Sequence, residues 1–110
     1  MTKGDNLGEF EQLVLLAIVR CDGEAYGMQV LQEIQRTTGR SVTIGAVYGT
    51  LERLEEKALL SSTRDEGTRA GRARRYFRLE PAGAEALTRA RAMWDSMWDG
   101  VALPLTRFPG

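Results

Sequence analysis

The stretch Thr43-Ile44-Gly45-Ala46-Val47-Tyr48-Gly49-Thr50-Leu51-Glu52-Arg53-Leu54 reads as a helix. Apolar residues at Ile44, Val47, Leu51, Leu54 and Ala58 recur at alternating steps of three and four, so they share one face. Thr43 stands where an N-cap belongs, its hydroxyl placed to accept from a free amide of the first turn. The opposite side is unusual. Gly45 and Gly49 stack there, beside Ala46, Tyr48 and Arg53. A glycine inside a helix costs about 1 kcal/mol relative to alanine. A pair of them facing solvent implies that another surface must come close to the helix backbone.

Leu59-Leu60 follows, and then residues 61–79 form two strand-like runs around Glu66-Gly67-Thr68-Arg69-Ala70-Gly71, a hairpin loop by composition. From Ser61 to Glu80 there are six arginines against three acids, a local charge of +3. Alternation on the returning strand places Ala73, Arg75, Phe77 and Leu79 on one side, and Arg72, Arg74, Tyr76 and Arg78 on the other. Phe77 and Leu79 are the core candidates. The planar fork of arginine suits phosphate. A close-approach helix followed by an arginine-rich hairpin is the order of a winged helix-turn-helix that grips double-stranded DNA. The plainer alternative is a solvated hairpin whose charges keep an edge strand from pairing.

The 110 residues suit one core. Fifteen basic residues balance fifteen acidic ones, which by itself argues against nucleic acid, but the distribution is uneven: Asp5 to Glu33 holds one arginine against six acids. One cysteine, Cys21, and no histidine leave no internal disulfide and no transition-metal site, and no loop has calcium-ligand spacing. No cofactor is expected. The longest apolar run, Leu13 to Val19, is far short of the roughly 20 residues of a membrane span, and the N-terminus lacks a signal-peptide pattern. The expected compartment is the cytoplasm.

Taken in order, Met1 to Asn6 reads as an arm and Leu7 opens a first helix, with Glu9 and Glu11 in the dipole-favoured first turn. Its second half is apolar all round, so it needs cover on more than one side, either as a central core helix or with one flank in a subunit interface. Cys21 to Glu24 reads as a turn. Tyr26-Gly27 leads a second helix, Met28 to Thr38, with Val30, Leu31 and Ile34 inward and Gly39 as its C-terminal cap. Arg40-Ser41-Val42 is a candidate third strand.

Pro81 suits the first position of a last helix reaching Val101, about 30 Å long. Its stripe is Ala84, Leu87, Arg91, Trp94, Trp98, Val101 and Leu105. A domain of about 100 residues has a radius of gyration near 13 Å, so the distal half should project with both tryptophans. A two-fold dimer would cover them. The expected fold class is mainly α with a small β-hairpin: a winged helix-turn-helix over residues 1–80 and a dimerisation helix and tail over residues 81–110.

The run from Gly45 to Glu55, followed by Gly71-Arg72-Ala73-Arg74-Arg75-Tyr76-Phe77-Arg78-Leu79, resembles the PadR family of bacterial transcriptional regulators. The family pattern is Gly-x-Leu-Tyr-x-x-Leu-x-Arg-Leu-Glu and then a Gly-Arg-x-x-Lys-Tyr-Tyr-x-Leu-Thr wing strand. The Gly-Glu-Phe-Glu opening and the Tyr26-Gly27 pair are similar too. The resemblance implies a winged-helix homodimer, usually a repressor. It puts Tyr48 and Arg53 on the recognition helix, and Arg72, Arg74 and Tyr76 on the wing. The chain departs from the pattern at Glu80, where the last helix is usually capped by threonine, at Ala58, where glycine is usual, and in its single C-terminal helix.

The expected DNA-facing set is therefore Thr43, Gly45, Tyr48, Gly49, Thr50, Arg53, Arg69, Arg72, Arg74 and Tyr76, with an interior place as the alternative for Tyr48. The expected dimerisation set is Phe10, Leu13, Leu87, Trp94, Trp98 and Val101. Trp94 and Trp98 either pack across the interface or sandwich a small aromatic effector. With few bidentate base readers, shape and half-site spacing should carry much of the specificity. The alternative function is a winged helix used for protein–protein contact. No nucleophile–base pair suggests an enzyme.

Overall fold

The computed structural model of the chain describes residues 6–65 and 74–104. The order is α1 (Glu9–Arg20), β1 (Glu24–Tyr26), α2 (Gly27–Thr38), α3 (Ile44–Glu56), β2 (Leu60–Asp65), β3 (Arg74–Leu79) and α4 (Pro81–Trp98). The strands form an antiparallel sheet in the order β1-β3-β2. Tyr26 stands opposite Tyr76, and Ser62 opposite Phe77. The helices and sheet enclose one core. Val14, Leu15 and Ile18 of α1, Val30 of α2, and Val47, Leu51 and Leu54 of α3 meet Ala25 and Phe77 there, all fully buried. Each large side chain so buried contributes about 1.5–3 kcal/mol.

Three helix ends follow the sequence reading. Thr43 Oγ1 accepts from the Ala46 amide at 3.1 Å. Gly39 caps α2 in the left-handed region, at φ +75°. Pro81 opens α4 behind Glu80. The Glu80 carboxylate does not cap that helix; it accepts from Ser61 Oγ at 2.6 Å and ties β2 to the start of α4. The third strand differs. It is β1, the three residues directly before α2, and Arg40-Ser41-Val42 has no strand partner. A strand this short has too few residues to show alternation, and it exists because β3 offers a free edge. Ile44 also departs from the expected core stripe, being 38% exposed at the first turn of α3, beyond the reach of the core.

The last helix ends at Trp98, one turn earlier than expected. Its orientation is informative. Gly83 and Ala86 are buried against the domain, and a Cβ at Gly83 would overlap the Leu59 carbonyl. Ala84 is exposed, and so is every residue from Arg91 to Pro104. The small residues thus let the helix seat closely at its base, while Trp94, Met97 and Trp98 leave the domain. The radius of gyration is 16.7 Å, above the roughly 13 Å of a compact chain this long.

A buried carboxylate links the first and third helices. Glu11 Oε1 accepts from the Gly8 amide at 2.9 Å, and Oε2 from Lys57 Nζ at 2.9 Å. Burial alone would raise this carboxyl's pKa. The Gly8 and Lys57 bonds, with the charges of Lys57 and Arg53, outweigh it and leave the pKa below its ordinary value. A depressed native pKa stabilises the fold above the unfolded pKa, and that contribution is lost as pH falls through the native one. Glu11→Gln should therefore cost about 1–2 kcal/mol at pH 7, with the gap to wild type in urea-unfolding curves closing as pH falls through the native pKa, below the ordinary carboxylate range.

The end of α3 yields a second test. Ala58 sits at φ +64°, with its amide donating to the Glu55 carbonyl at 2.9 Å and the Leu59 amide to the Leu54 carbonyl at 3.0 Å. A Cβ is unfavourable there by about 1–2 kcal/mol. Ala58→Gly should raise stability by about 0.5–1 kcal/mol after the entropy of the unfolded glycine is counted, measured by the same unfolding curves.

Candidate nucleic-acid interface

The N-terminal half of the side of α3 away from the core is built almost without side chains, while Glu52, Arg53 and Glu56 stand exposed farther along it. Thr43, Gly45 and Ala46 are exposed, and Gly49 is half-buried. A Cβ at Gly45 would meet nothing within 4 Å, and one at Gly49 only the Arg53 guanidinium at 4.0 Å. Neither glycine is required by the protein's own packing. Gly27 differs: a Cβ there would overlap the Tyr48 ring. Tyr48 therefore lies half-buried across the start of α2 and joins the two helices, between the interior place and the groove-facing one.

Thr50 requires a correction. It is 2% exposed, so it cannot meet DNA. Its spacing from Val47 and Leu54, three back and four on, places it on their face, and the helical period contained that signal. Its hydroxyl instead accepts from Arg53 Nη2 at 3.0 Å. Arg53 Nε also lies 3.9 Å from the Glu11 carboxylate, with more than half of the side chain still open to solvent. Thr50 and Glu11 thus aim an arginine along the edge of the glycine side.

The wing stands beside this helix. Arg69 and Arg72 fall outside the described residues. Arg74 and Tyr76 project from one side of β3 and meet Tyr26 of β1. The Tyr26 and Tyr76 rings are edge-to-face at 5.5 Å, and the Arg74 guanidinium lies 4.4 Å from the Tyr26 ring centroid. The relation of Tyr26 to Tyr76 comes from strand register, which no local sequence pattern reports. Arg64 of β2 is exposed. Two further arginines are engaged within the protein: Arg75 by Glu55 and Glu52, and Arg78 by Glu24 at 3.7 Å. The local +3 of the sequence therefore overstates the charge presented outward.

At the far end, Met93, Trp94, Met97, Trp98, Val101 and Leu103 are 50–71% exposed. Leu16 and Val19 continue the apolar surface on α1. An open groove of about 660 Å³ runs between the two helices, walled by Leu16, Leu87 and Trp94. Phe10, Leu13 and Leu87 are half-buried, but Leu87 alone of the three walls this groove: Leu13 lines a hollow between α1 and α2, and Phe10 lies 6.0 Å from the Arg40 guanidinium carbon. Among the described residues, no helix is long and apolar enough to cross a membrane, and no His/Cys/Asp/Glu group could hold a metal.

Comparison with known proteins agrees with this architecture. Over 70 residues the chain is 44% identical to the transcriptional regulator Rv3488 of Mycobacterium tuberculosis, covering 64% of this chain and 63% of that protein. The chain thus spans less than two thirds of that relative. A PadR family transcriptional regulator from Eggerthella lenta superposes with a TM-score of 0.67 at 28% identity, over 84% of this chain and 81% of that one. F93 from STIV, a winged-helix DNA-binding protein, shares the fold at 12% identity with a TM-score of 0.69, over 84% and 93% of the two chains. The model of the transcriptional regulator PadR-like family matches residues 15–89, and by that match the chain belongs to the PadR-like family of transcriptional regulators.

Proposed function

We propose that the protein is a homodimeric repressor in which residues 1–80 contact operator DNA and residues 81–110 join the two copies. The observation that carries this reading is the bare glycine side of α3, which nothing in the protein's own packing requires. The N-terminal half of α3 enters the major groove, with Thr43, Gly45 and Gly49 letting the backbone approach and Tyr48 and Arg53 at the margin. Arg69, Arg72, Arg74 and Tyr76 hold the backbone beside it, most contacts being to phosphate. The exposed apolar end of α4 supports the dimer, since an unpaired surface of this kind is rare on a soluble monomer. Phe10, Leu13, Leu87, Trp94, Trp98 and Val101 line that interface. A flat aromatic effector held by Trp94 and Trp98 relieves repression, and the protein works in the cytoplasm.

The direct test adds a side chain where none stands. Gly45→Leu should leave stability unchanged or raise it by up to about 1 kcal/mol. Affinity for an operator selected from the source genome should fall at least about 10-fold by fluorescence anisotropy. Undiminished binding by the folded variant would remove the central support. Wild-type affinity should drop by roughly 0.9 log units per log unit of salt for each phosphate neutralised, and a flat salt response would favour a protein partner.

Assembly is checked separately. Wild type should sediment at twice the 12.2 kDa chain mass, and Trp98→Asp as a monomer with weakened operator binding. Tryptophan quenching by planar aromatic compounds, together with release of DNA, would support the effector. No quenching across a diverse set would leave interface packing alone. Transcription in a purified system from a promoter bearing the operator should fall when the protein is added.

A further inference from the structure

Arg75 turns inward, although it lies in an arginine-rich wing. On β3 it shares the side of Phe77, and its guanidinium carbon is 4.8 Å from that ring's centroid. One terminal nitrogen pairs with Glu55, and the other lies 3.6 Å from Glu52. Its Nε donates to Ser62 Oγ at 3.2 Å, and that hydroxyl donates to Glu55 at 2.6 Å. The serine thus uses its acceptor and its donor within one set. Side chains from α3, β2 and β3 close on one another, and the Arg75 side chain is 33% exposed, against 62% for Arg78 three residues on, which points to the other side of the strand.

The position of this set matters. The chain leaves α3 through Lys57 and Ala58, so the covalent link holds the wing only at its base. Arg75 lies four residues up β3 from Leu79, about 13 Å along the strand. A rotation of about 10° at the base would carry a point ~20 Å out by roughly 3.5 Å, more than a hydrogen bond tolerates. Glu52 and Glu55, three apart on α3, grip the strand well above that base. We propose that Arg75 is a positioning residue: held by Glu55 and Glu52, it sets the angle of the wing to α3 and so selects which phosphates the wing reaches once α3 is docked. The inference rests on the DNA-binding reading above and adds a residue that acts without touching DNA.

The sign of one substitution separates this role from its rivals. Glu55→Gln removes a negative charge beside the interface. If Arg75 were a phosphate contact, or served merely to screen the two acids, that change would leave affinity unchanged or raise it. A positioning pair requires a loss. Full-length wild type, E55Q, R75M and R75K would be titrated against an operator duplex selected with the wild-type protein and a scrambled duplex of equal length, below the melting range of every variant. E55Q and R75M are expected to weaken the operator complex about 5–10-fold and the scrambled complex less than about 2-fold. R75K, which keeps the ion pair, is expected to stay within about 3-fold of wild type. If R75M does not melt cooperatively, E55Q carries the comparison. Undiminished operator binding by E55Q, or equal losses on both duplexes, would overturn the assignment. A wild type with no salt-dependent affinity for any duplex would end the DNA-binding reading itself, and this inference with it.

Discussion

The structure depends on how α3 is held. Val47, Thr50, Leu51 and Leu54 lie inward along one side of a 13-residue helix, and every one is buried. Phe77 from the sheet and Val14, Leu15 and Ile18 from α1 fill the space around that side. At about 1.5–3 kcal/mol for each large side chain, this packing outweighs the roughly 1 kcal/mol that each helix glycine costs. A helix anchored so firmly from within can leave Gly45 and Gly49 bare. The glycine side is thus a surface the core can sustain, which is why its emptiness bears on function and not only on stability.

What was legible in the sequence was local. Thr43, Gly39 and Pro81 marked helix ends because cap chemistry involves only neighbouring residues. The glycine pair stood out because a 3.6-residue period placed both on the outer side. The core side of α3 was legible too, and Thr50 belongs to it by position although its hydroxyl suits a polar surface. What escaped depends on distant partners. Three residues, Glu24-Ala25-Tyr26, become a strand only when β3 comes alongside. Tyr48 meets Gly27, and Gly83 meets the Leu59 carbonyl, across separations that no local pattern reports.

The last helix combines both kinds of information. Its apolar stripe was readable, but the side turned to its own domain was not. Gly83 and Ala86, small enough to meet a backbone carbonyl, set the rotation at the base. The large residues are consequently presented outward. A stripe built for the helix's own core would have its tryptophans buried; here Trp94 and Trp98 are each more than half exposed. Leu16 of α1 lies across the groove from that helix, and Val19 is exposed one turn on. The all-round hydrophobicity of α1 thus has two origins, a core side at Val14 and Ile18 and an outer side facing away.

Charge completes the argument. Equal numbers of acidic and basic residues are a poor signature for a nucleic-acid binder, and the structure shows why the sum misleads. Several of the acids are held by bases within the protein. Glu33 takes Arg20 and Arg36 between α1 and α2, and Glu9 takes Arg40. Glu11 takes Lys57, and Asp95 lies against Arg91 far along α4. Glu55 and Glu52 likewise hold Arg75 back from the outward charge of the wing, while Arg78, 3.7 Å from Glu24, stays largely exposed. Distribution, not total, sets the field a duplex would meet. On that measure the wing presents fewer cations than its sequence suggests, and the angle at which they are held has correspondingly more influence.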